Sequence, residues 1–399
     1  MRRRDFPAVV ASWPFTLNGQ GRRKRLACLS STYHVRSHSD NFITRFLEGY
    51  WINDDYFPPP FEVASLWMHQ LHPADIGRRL CQAYNVRLCH SIEEALTLGT
   101  GKLAVDGVLL VCEHGDYPHN EKQQQLYPRF EFFQEVVKVF RASKAGCPVF
   151  VDKHLSYDWQ KAKQMFNWSR ELRFPLMAGS SVPVTFRRPE YDPPRGVELE
   201  GALSVGGGWV ADGGIFHILE TLQAFVERRK GGETGIQAVQ LLKGERVWQA
   251  ASEGLWNRAL LDRALACSET AKPQIPPEQM RAVLGLIDYR DGFRGAVLAL
   301  SEVSEYLVAL QPKGKPAAAT LCYIPRENSN NFSMLVHGIR RMVETGKAVI
   351  PAERTLLVTG ALAALMDSGY ENGKRIETPE LNIAYSAPAR SWYAPGRGS

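Results

Sequence analysis

From Lys24 onward, short all-apolar runs alternate with stretches whose apolar residues recur every three or four positions. That rhythm predicts a parallel sheet with helices on both faces. RLACLSS (25–31) reads as a first strand, followed by a helix over 41–51, a turn at Pro58-Pro59-Pro60, a strand EVASLWM (62–68) and a helix over 74–84. Ser91-x-x-Glu94 is a capping box opening a short helix, because the serine accepts from an orphan backbone N–H and the glutamate reaches back to the cap. DGVLLVC (106–112) is apolar throughout, as a strand buried on both faces requires. Phe133, Val136, Val137 and Phe140 fall at helical spacing; then come the strand CPVFVDK (147–153), a helix over 159–172 and the strand FPLMAGS (174–180). These pieces make a Rossmann-type, doubly wound α/β domain over 24–185.

TFRRPEYDPPRG (185–196) has no periodicity and marks a boundary. Beyond it, 186–385 mixes a long helix near 215–229 with strand-like runs IQAVQLL (236–242), FRGAVLAL (293–300) and AAATLCYI (317–324). An α+β domain with a large, mostly antiparallel open sheet is expected there, followed by a tail over 386–399. Two helices close it. The first puts Phe332, Leu335, Val336, Ile339, Met342 and Val343 on one face, leaves His337 facing solvent and stops at Gly346; the second, 354–368, is almost wholly apolar and buried.

Composition changes this picture little: 44% hydrophobic and 23% charged residues are ordinary for a globular chain of 399 residues. The net charge of +6 is more informative in its placement, since Arg2, Arg3, Arg4, Arg22, Arg23, Lys24 and Arg25 against Asp5 account for all of it. The body is neutral, which sets nucleic acid aside as a partner. Arg3-Arg4-Asp5-Phe6 resembles a twin-arginine export core, so residues 1–23 read as a leader to the periplasm or as a disordered basic tail of a cytoplasmic protein. The seven cysteines are scattered without a C-x-x-C and read as small buried hydrophobes. No apolar run reaches membrane-spanning length.

The polar residues best placed for chemistry are His114, Asp116 and His119, after the all-apolar strand ending at Cys112, with Lys153 and His154 ending the next parallel strand. Doubly wound folds bind ligands at the carboxyl ends of their strands. A base, an acid and an amine for a hydroxyl or carbonyl oxygen would meet there. Tyr127, Arg129, Tyr157 and Gly179-Ser180-Ser181 could line the same crevice. A metal is the alternative use of His114, Asp116 and His154, which are suitable N and O ligands, although no metal-binding spacing supports it.

Three segments, VDGVLLVCEHG (105–115), CPVFVDKHL (147–155) and GKAVIPAERTLLVTGALAALMDSGYENGKRIETPEL (346–381), resemble in order and spacing the glucose-fructose oxidoreductase and inositol dehydrogenase family. The likeness implies a Rossmann-type domain joined to a sugar-facing α/β domain, with NAD or NADP as cofactor, a sugar or polyol substrate and a homo-oligomer paired through the second sheet. It places Lys153, here in Asp-Lys-His rather than Glu-Lys-Pro, at the lysine contacting nicotinamide and substrate hydroxyl. GGGWVADGGIFHILE (206–220) resembles the segment whose Asp and His serve substrate and proton transfer, which implies those roles for Asp212 and His217. Asp212 and His217 are five apart where the family has four, and a one-residue slip turns a helical side chain by about 100°. Asp116, His119, Tyr127, Arg129 and His154 are then expected on the substrate.

The first turn departs furthest from the family. Ser30-Ser31-Thr32-Tyr33-His34-Val35-Arg36-Ser37-His38-Ser39 contains no glycine where a dinucleotide needs a tight turn and close backbone approach. Ser31, Thr32, Arg36 and Ser37, with His114, are the groups that could hold phosphate instead. Met68-His69-Gln70 after the second strand offers no carboxylate for a ribose. Two readings follow: an NAD(P)-dependent oxidoreductase on a sugar, cyclitol or related polyol, or a non-redox lyase, hydratase or isomerase on the same fold that has lost the nicotinamide.

Overall fold

The computed structural model describes residues 22–207, 212–270, 276–325 and 329–396. The leader motif at 3–6 lies outside the described residues. Six parallel strands, β1 (Arg25–Ser30), β2 (Glu62–Met68), β3 (Arg87–Cys89), β4 (Gly107–Val111), β5 (Val149–Asp152) and β6 (Leu176–Gly179), form one sheet in the order β3-β2-β1-β4-β5-β6. The order reverses between β1 and β4, the point at which this fold class opens a ligand crevice. Helices α1 (Gly77–Tyr84), α2 (Ile92–Thr97), α3 (Arg129–Ser143) and α4 (Trp159–Glu171) connect the strands. Ser91 caps α2 by accepting from Glu94 N at 3.0 Å, while the Glu94 carboxylate accepts from His90 N, one residue before the cap.

The helix expected over 41–51 is cut short. A π turn (Asp40–Thr44) and one helical turn (Arg45–Glu48) end at Gly49, whose φ of 86° breaks the helix, and the chain then forms a hairpin of Tyr50–Ile52 with Asp55–Phe57. A side chain at Gly49 would strike the Phe57 carbonyl, so the hairpin itself requires glycine there.

Eight strands among the described residues build the second sheet: β7 (Phe186–Arg188), β8 (Leu199–Gly206), β9 (Ile236–Lys243), β10 (Ala282–Tyr289), β11 (Arg294–Leu300), β12 (Tyr306–Pro312), β13 (Ala318–Tyr323) and β14 (Ile376–Glu377). Their order is β14-β9-β10-β11-β8-β12-β13-β7, antiparallel except for β8 with β11. The supposed linker thus supplies an edge strand, β7. Helices α5 (Asp212–Val226) and α9 (Ala352–Tyr370) pack on one face through Phe216, Leu219, Leu222, Leu357 and Leu365. The other face is covered by α6 (Glu245–Ser252) and α7 (Arg258–Leu265), with Val247, Trp256, Leu260 and Leu261 against Leu203, Leu284, Leu298 and Leu307. The second sheet thus carries helices on both faces.

Helix α8 (Asn331–Thr345) follows the second sheet in sequence and packs on the first. Leu335, Val336, Ile339, Met342 and Val343 meet Leu26, Cys28, Leu109 and Phe150, and Gly107 leaves the room that Val343 occupies. Gly346 ends the helix in the left-handed conformation, as the sequence predicts. His337 does not face solvent. It is half-buried, its Nδ1 3.0 Å from the Tyr50 hydroxyl and its ring stacked on Trp392. No described helix is long and apolar enough to cross a membrane. All seven cysteines are free, and six are buried.

Candidate functional site

Two adjacent parallel strands, β4 and β5, run out at the same edge, and both leave it through left-handed residues: His114 at φ 67° and Lys153 at φ 64°. Non-glycine residues held there are strained, and such strain concentrates where side-chain direction matters. The turns bring Glu113, Lys153 and His154 under the N-terminus of α5. Lys153 Nζ donates to Glu113 Oε1 at 2.6 Å, and fully buried Arg129, at the start of α3, donates to Glu113 Oε2 at 2.6 Å. Burial pushes the Glu113 carboxyl up, but Lys153, Arg129 and His38 outweigh it and hold it well below the usual carboxylate range. Glu113 was not among the residues singled out from the sequence. Its signal is its place as the first charged group after VLLVC.

Arg129 also approaches His154 Nε2 at 3.3 Å. A guanidinium only donates, so Nε2 accepts and the ring hydrogen sits on Nδ1. Nδ1 is buried with no partner. Desolvation, helped by the Arg129 charge, holds His154 neutral, its pKa well below the ordinary histidine value. Asp212, the first residue of α5, lies 3.8 Å from His154 Nε2, and its Oδ2 likewise has no hydrogen-bond partner. Desolvation raises the Asp212 pKa. The one-residue register difference is visible here: a side chain built at Gly213 would start 3.5 Å from Lys153 Nζ, whereas the actual carboxylate is turned towards His154.

His217, one turn further along α5, shares a 2.6 Å hydrogen bond between its Nδ1 and Ser180 Oγ. Val182 N already donates to that oxygen at 3.0 Å, so the hydroxyl hydrogen is free to go to Nδ1 and the ring hydrogen to Nε2. Desolvation keeps His217 neutral as well. Beneath it, Glu220 accepts from Ser180 N at 2.6 Å and from Thr355 Oγ1 at 3.2 Å, and burial pushes its pKa up to about 8.

The structure does not gather every expected residue. Asp116 and His119 are exposed, Asp116 tied by its backbone to the Gln70 side chain and His119 by a backbone bridge to Gln125. Tyr127 accepts from His114 N at 3.2 Å and lies under the Arg129 guanidinium. His114 is neutral, its pKa lowered to about 4 by burial and the neighbouring His38. Among the described residues no three His, Cys, Asp or Glu side chains are placed to hold a metal ion, so the alternative set His114, Asp116 and His154 is not assembled.

The serine hydroxyls around the loop after β1 are already hydrogen-bonded, while Thr32 Oγ1 has no partner. Ser31 Oγ donates to the Glu113 carbonyl, Ser30 Oγ to the Thr32 carbonyl, and Ser37 Oγ accepts from both His34 N and Asp40 N. Arg36 turns away and lines a separate cavity with Asp40 and Trp51. Asp40 accepts from Arg36 N and begins the first helical turn, where a pyrophosphate would need an uncompensated helix N-terminus. His38 reaches over the end of β4 to Asp152, its Nδ1 2.6 Å from Oδ2, with its ring edge-on to His114 and Phe332. These residues do not fit a dinucleotide. The switch point is crossed by His38, and the helix start carries a carboxylate.

No family model matches the chain, and no curated protein matches it in sequence. Solved structures match it over most of its length. GenD2 from gentamicin A biosynthesis, solved in complex with NAD, is 13% identical with a TM-score of 0.55, covering 90% of this chain and 98% of its own. The chain has the two-domain fold of the inositol dehydrogenases. Myo-inositol dehydrogenase from Lactobacillus casei, solved with NAD(H) and myo-inositol, is 11% identical with a TM-score of 0.55 over 90% of this chain and 97% of its own. Myo-inositol 2-dehydrogenase from Lactobacillus plantarum, at 10% identity and a TM-score of 0.55, covers 89% and 99%. On this inositol dehydrogenase fold, Lys153, Glu113, His154 and Asp212 stand where the parallel sheet meets the first helix of the second domain.

Proposed function

We propose that this chain is an enzyme acting on a sugar or polyol derivative by proton transfer in the crevice of Lys153, His154, Asp212 and His217, without a nicotinamide. One observation carries the reading. Beside the Lys153–Glu113 pair the crevice buries an unpaired donor, His154 Nδ1–H, and an unpaired acceptor, Asp212 Oδ2. Each costs about 1–3 kcal/mol if left unmade. A hydroxyl group both accepts and donates, the two kinds of hydrogen bond that these atoms lack. Lys153 and the neutral imidazoles supply hydrogen bonds to substrate oxygens, and Asp212, its pKa raised by desolvation, accepts a proton. Those roles suit an isomerisation or the loss or addition of water at a carbon beside an oxygen function.

The second reading is hydride transfer by a nicotinamide-dependent oxidoreductase, favoured by the fold shared with structures solved with NAD or NAD(H) and opposed by the loop after β1. Calorimetric titration with NAD(H) and NADP(H), alongside NMR of inositols and keto sugars incubated with the protein in D2O, separates the two. The non-redox reading expects no nicotinamide binding and deuterium entering substrate carbon without any nucleotide. Tight nicotinamide binding, with no exchange until it is added, establishes the dehydrogenase instead.

A further inference from the structure

One corner of the crevice carries two of its reacting elements. Gly179 ends β6 and Ser180 follows it. The Gly179 carbonyl accepts from Lys153 N at 3.2 Å and so ties down the left-handed turn that presents Lys153. Ser180 Oγ shares its 2.6 Å hydrogen bond with His217 Nδ1. The corner itself is held by Glu220, fully buried on α5, whose Oε2 accepts from Ser180 N at 2.6 Å. Gly179, at φ 141°, lies so close to that carboxyl group that a side chain there would start 2.5 Å from Oε1. The group is packed against the backbone it holds, and only glycine admits it.

Counting hydrogens gives its protonation state. Thr355 Oγ1, on α9, lies between the Ala178 carbonyl at 2.9 Å and Glu220 Oε1 at 3.2 Å, and the hydroxyl has one hydrogen for the two. An ionised Glu220 leaves one of those contacts unmade. A protonated Oε1 donates to Thr355 Oγ1, which passes its own hydrogen to Ala178, and every atom is satisfied. No cation is bonded to Glu220 among the described residues: Arg354 of α9 donates to Glu227 at 2.6 and 2.8 Å, and Lys153 to Glu113. Burial acts in the same direction, pushing the Glu220 pKa up to about 8.

We propose that Glu220 is a positioning residue of the crevice: as a neutral acid it holds the Gly179–Ser180 corner, and through that corner the Lys153 turn and the His217 ring. Its use rests on the proton-transfer reading of the crevice; its geometry does not. Loss of the proton breaks the relay through Thr355 to Ala178 and places a negative charge one turn of α5 from His217, where it favours the imidazolium over the neutral ring.

The test reads His217 without a substrate. Full-length protein labelled with 15N-histidine gives long-range proton–nitrogen spectra in which the Nδ1 shift tells whether that atom accepts a hydrogen bond; the His217 signal is the one lost in His217→Asn. The wild type at pH 7 should show Nδ1 as a bonded acceptor, Ser180→Ala should show it unbonded, and Glu220→Leu should match Ser180→Ala. The amide of Glu220→Gln donates to Thr355 and accepts from Ser180 as the neutral acid does. That variant should keep the wild-type signal from pH 6 to pH 9.5, while the wild type loses it as pH rises through about 8. A folded Glu220→Leu with the wild-type signal, or a wild-type signal as flat with pH as that of Glu220→Gln, overturns the inference; the second comparison decides if leucine prevents folding. Deuterium entry into 2-keto-myo-inositol in D2O separates this inference from the reading beneath it. With Glu220 about nine parts in ten ionised at pH 9, the wild-type kcat for exchange should fall about ten-fold from its pH 7 value at unchanged KM, and that of Glu220→Gln less than about two-fold. Exchange that ignores Glu220 overturns the positioning role and leaves the crevice reading. A His217 signal that follows Glu220 in a protein that exchanges no polyol keeps the positioning role and overturns that reading.

Discussion

The loop after β1 and the turn after β5 sit on the same sheet edge and are equally rich in polar atoms, yet they dispose of them differently. Around the first, Ser30, Ser31, Ser37 and Ser39 are all buried and all paired, chiefly within the loop, and His38 is tied to Asp152. Around the second, His154 Nδ1, Arg129 Nε and Asp212 Oδ2 are buried and unpaired. A satisfied polar loop is a structural element, because nothing remains for a ligand to bond. An unsatisfied buried cluster calls for an explanation, which an ordered water, local strain or a ligand can each supply. On the reading we propose, the region that carries the nucleotide in a doubly wound fold is framework here and the binding capacity lies at Lys153, His154 and Asp212, although Thr32 Oγ1 in that region is also without a partner.

The largest effect that would sharpen this contrast is on Glu113. Arg129→Leu leaves the Glu113 carboxylate with Lys153 alone and should destabilise the protein by about 3–5 kcal/mol, read from urea unfolding. A loss below 1 kcal/mol would mean that the cluster is wetter than its burial implies. Glu220 gives a pH signature of middling size. Its folded pKa of about 8 stands above the unfolded value of 4.5, so its contribution is fully present below 4.5 and is lost as pH rises through about 8. Between pH 6 and pH 9 the wild type should lose on the order of 2–3 kcal/mol more than Glu220→Gln. Parallel unfolding curves of the two proteins across that range would show Glu220 ionised throughout.

Much of the fold was legible because buried parallel strands are continuous apolar runs. RLACLS, GVLLV and VFVD cannot satisfy any other environment, and each is a strand. β10 was not read from AVLGLIDY, since a glycine inside an apolar run looks like a break; Gly285 in fact leaves room for Leu365 of α9. The apolar stripe of α8 fixed its inward face, but periodicity carries no address, and nothing in the stripe says that its partner is the first sheet. Lys153 and His154 could be found because strand ends are where this fold class binds. Glu113 stands at a strand end too and was passed over, and its partner could not be read, because only the folding of α3 brings Arg129 back over it, sixteen residues along the chain. The turn of Asp212 away from Lys153 was implicit in the spacing to His217: the carboxylate faces His154, 3.8 Å from Nε2, without a hydrogen bond.

The smallest expected effect bears most directly on whether the loop after β1 is framework. Ser37 accepts from two backbone N–H groups, those of His34 and Asp40, each at 3.2 Å, as an N-cap serine does, and its removal orphans both. Ser37→Ala should therefore cost about 1 kcal/mol of stability. Calorimetry should show the same affinity as wild type for every polyol that Lys153→Met weakens, because no Ser37 atom is left to meet a ligand. A Ser37→Ala protein of unchanged stability that had lost a nicotinamide or phosphate ligand would reverse the assignment: the hydroxyl would then be a binding group resting on the backbone between turnovers. Equal binding with a lower unfolding midpoint leaves the division in place, with hydroxyls that close a loop on one side of His114 and orphaned groups that await a substrate on the other.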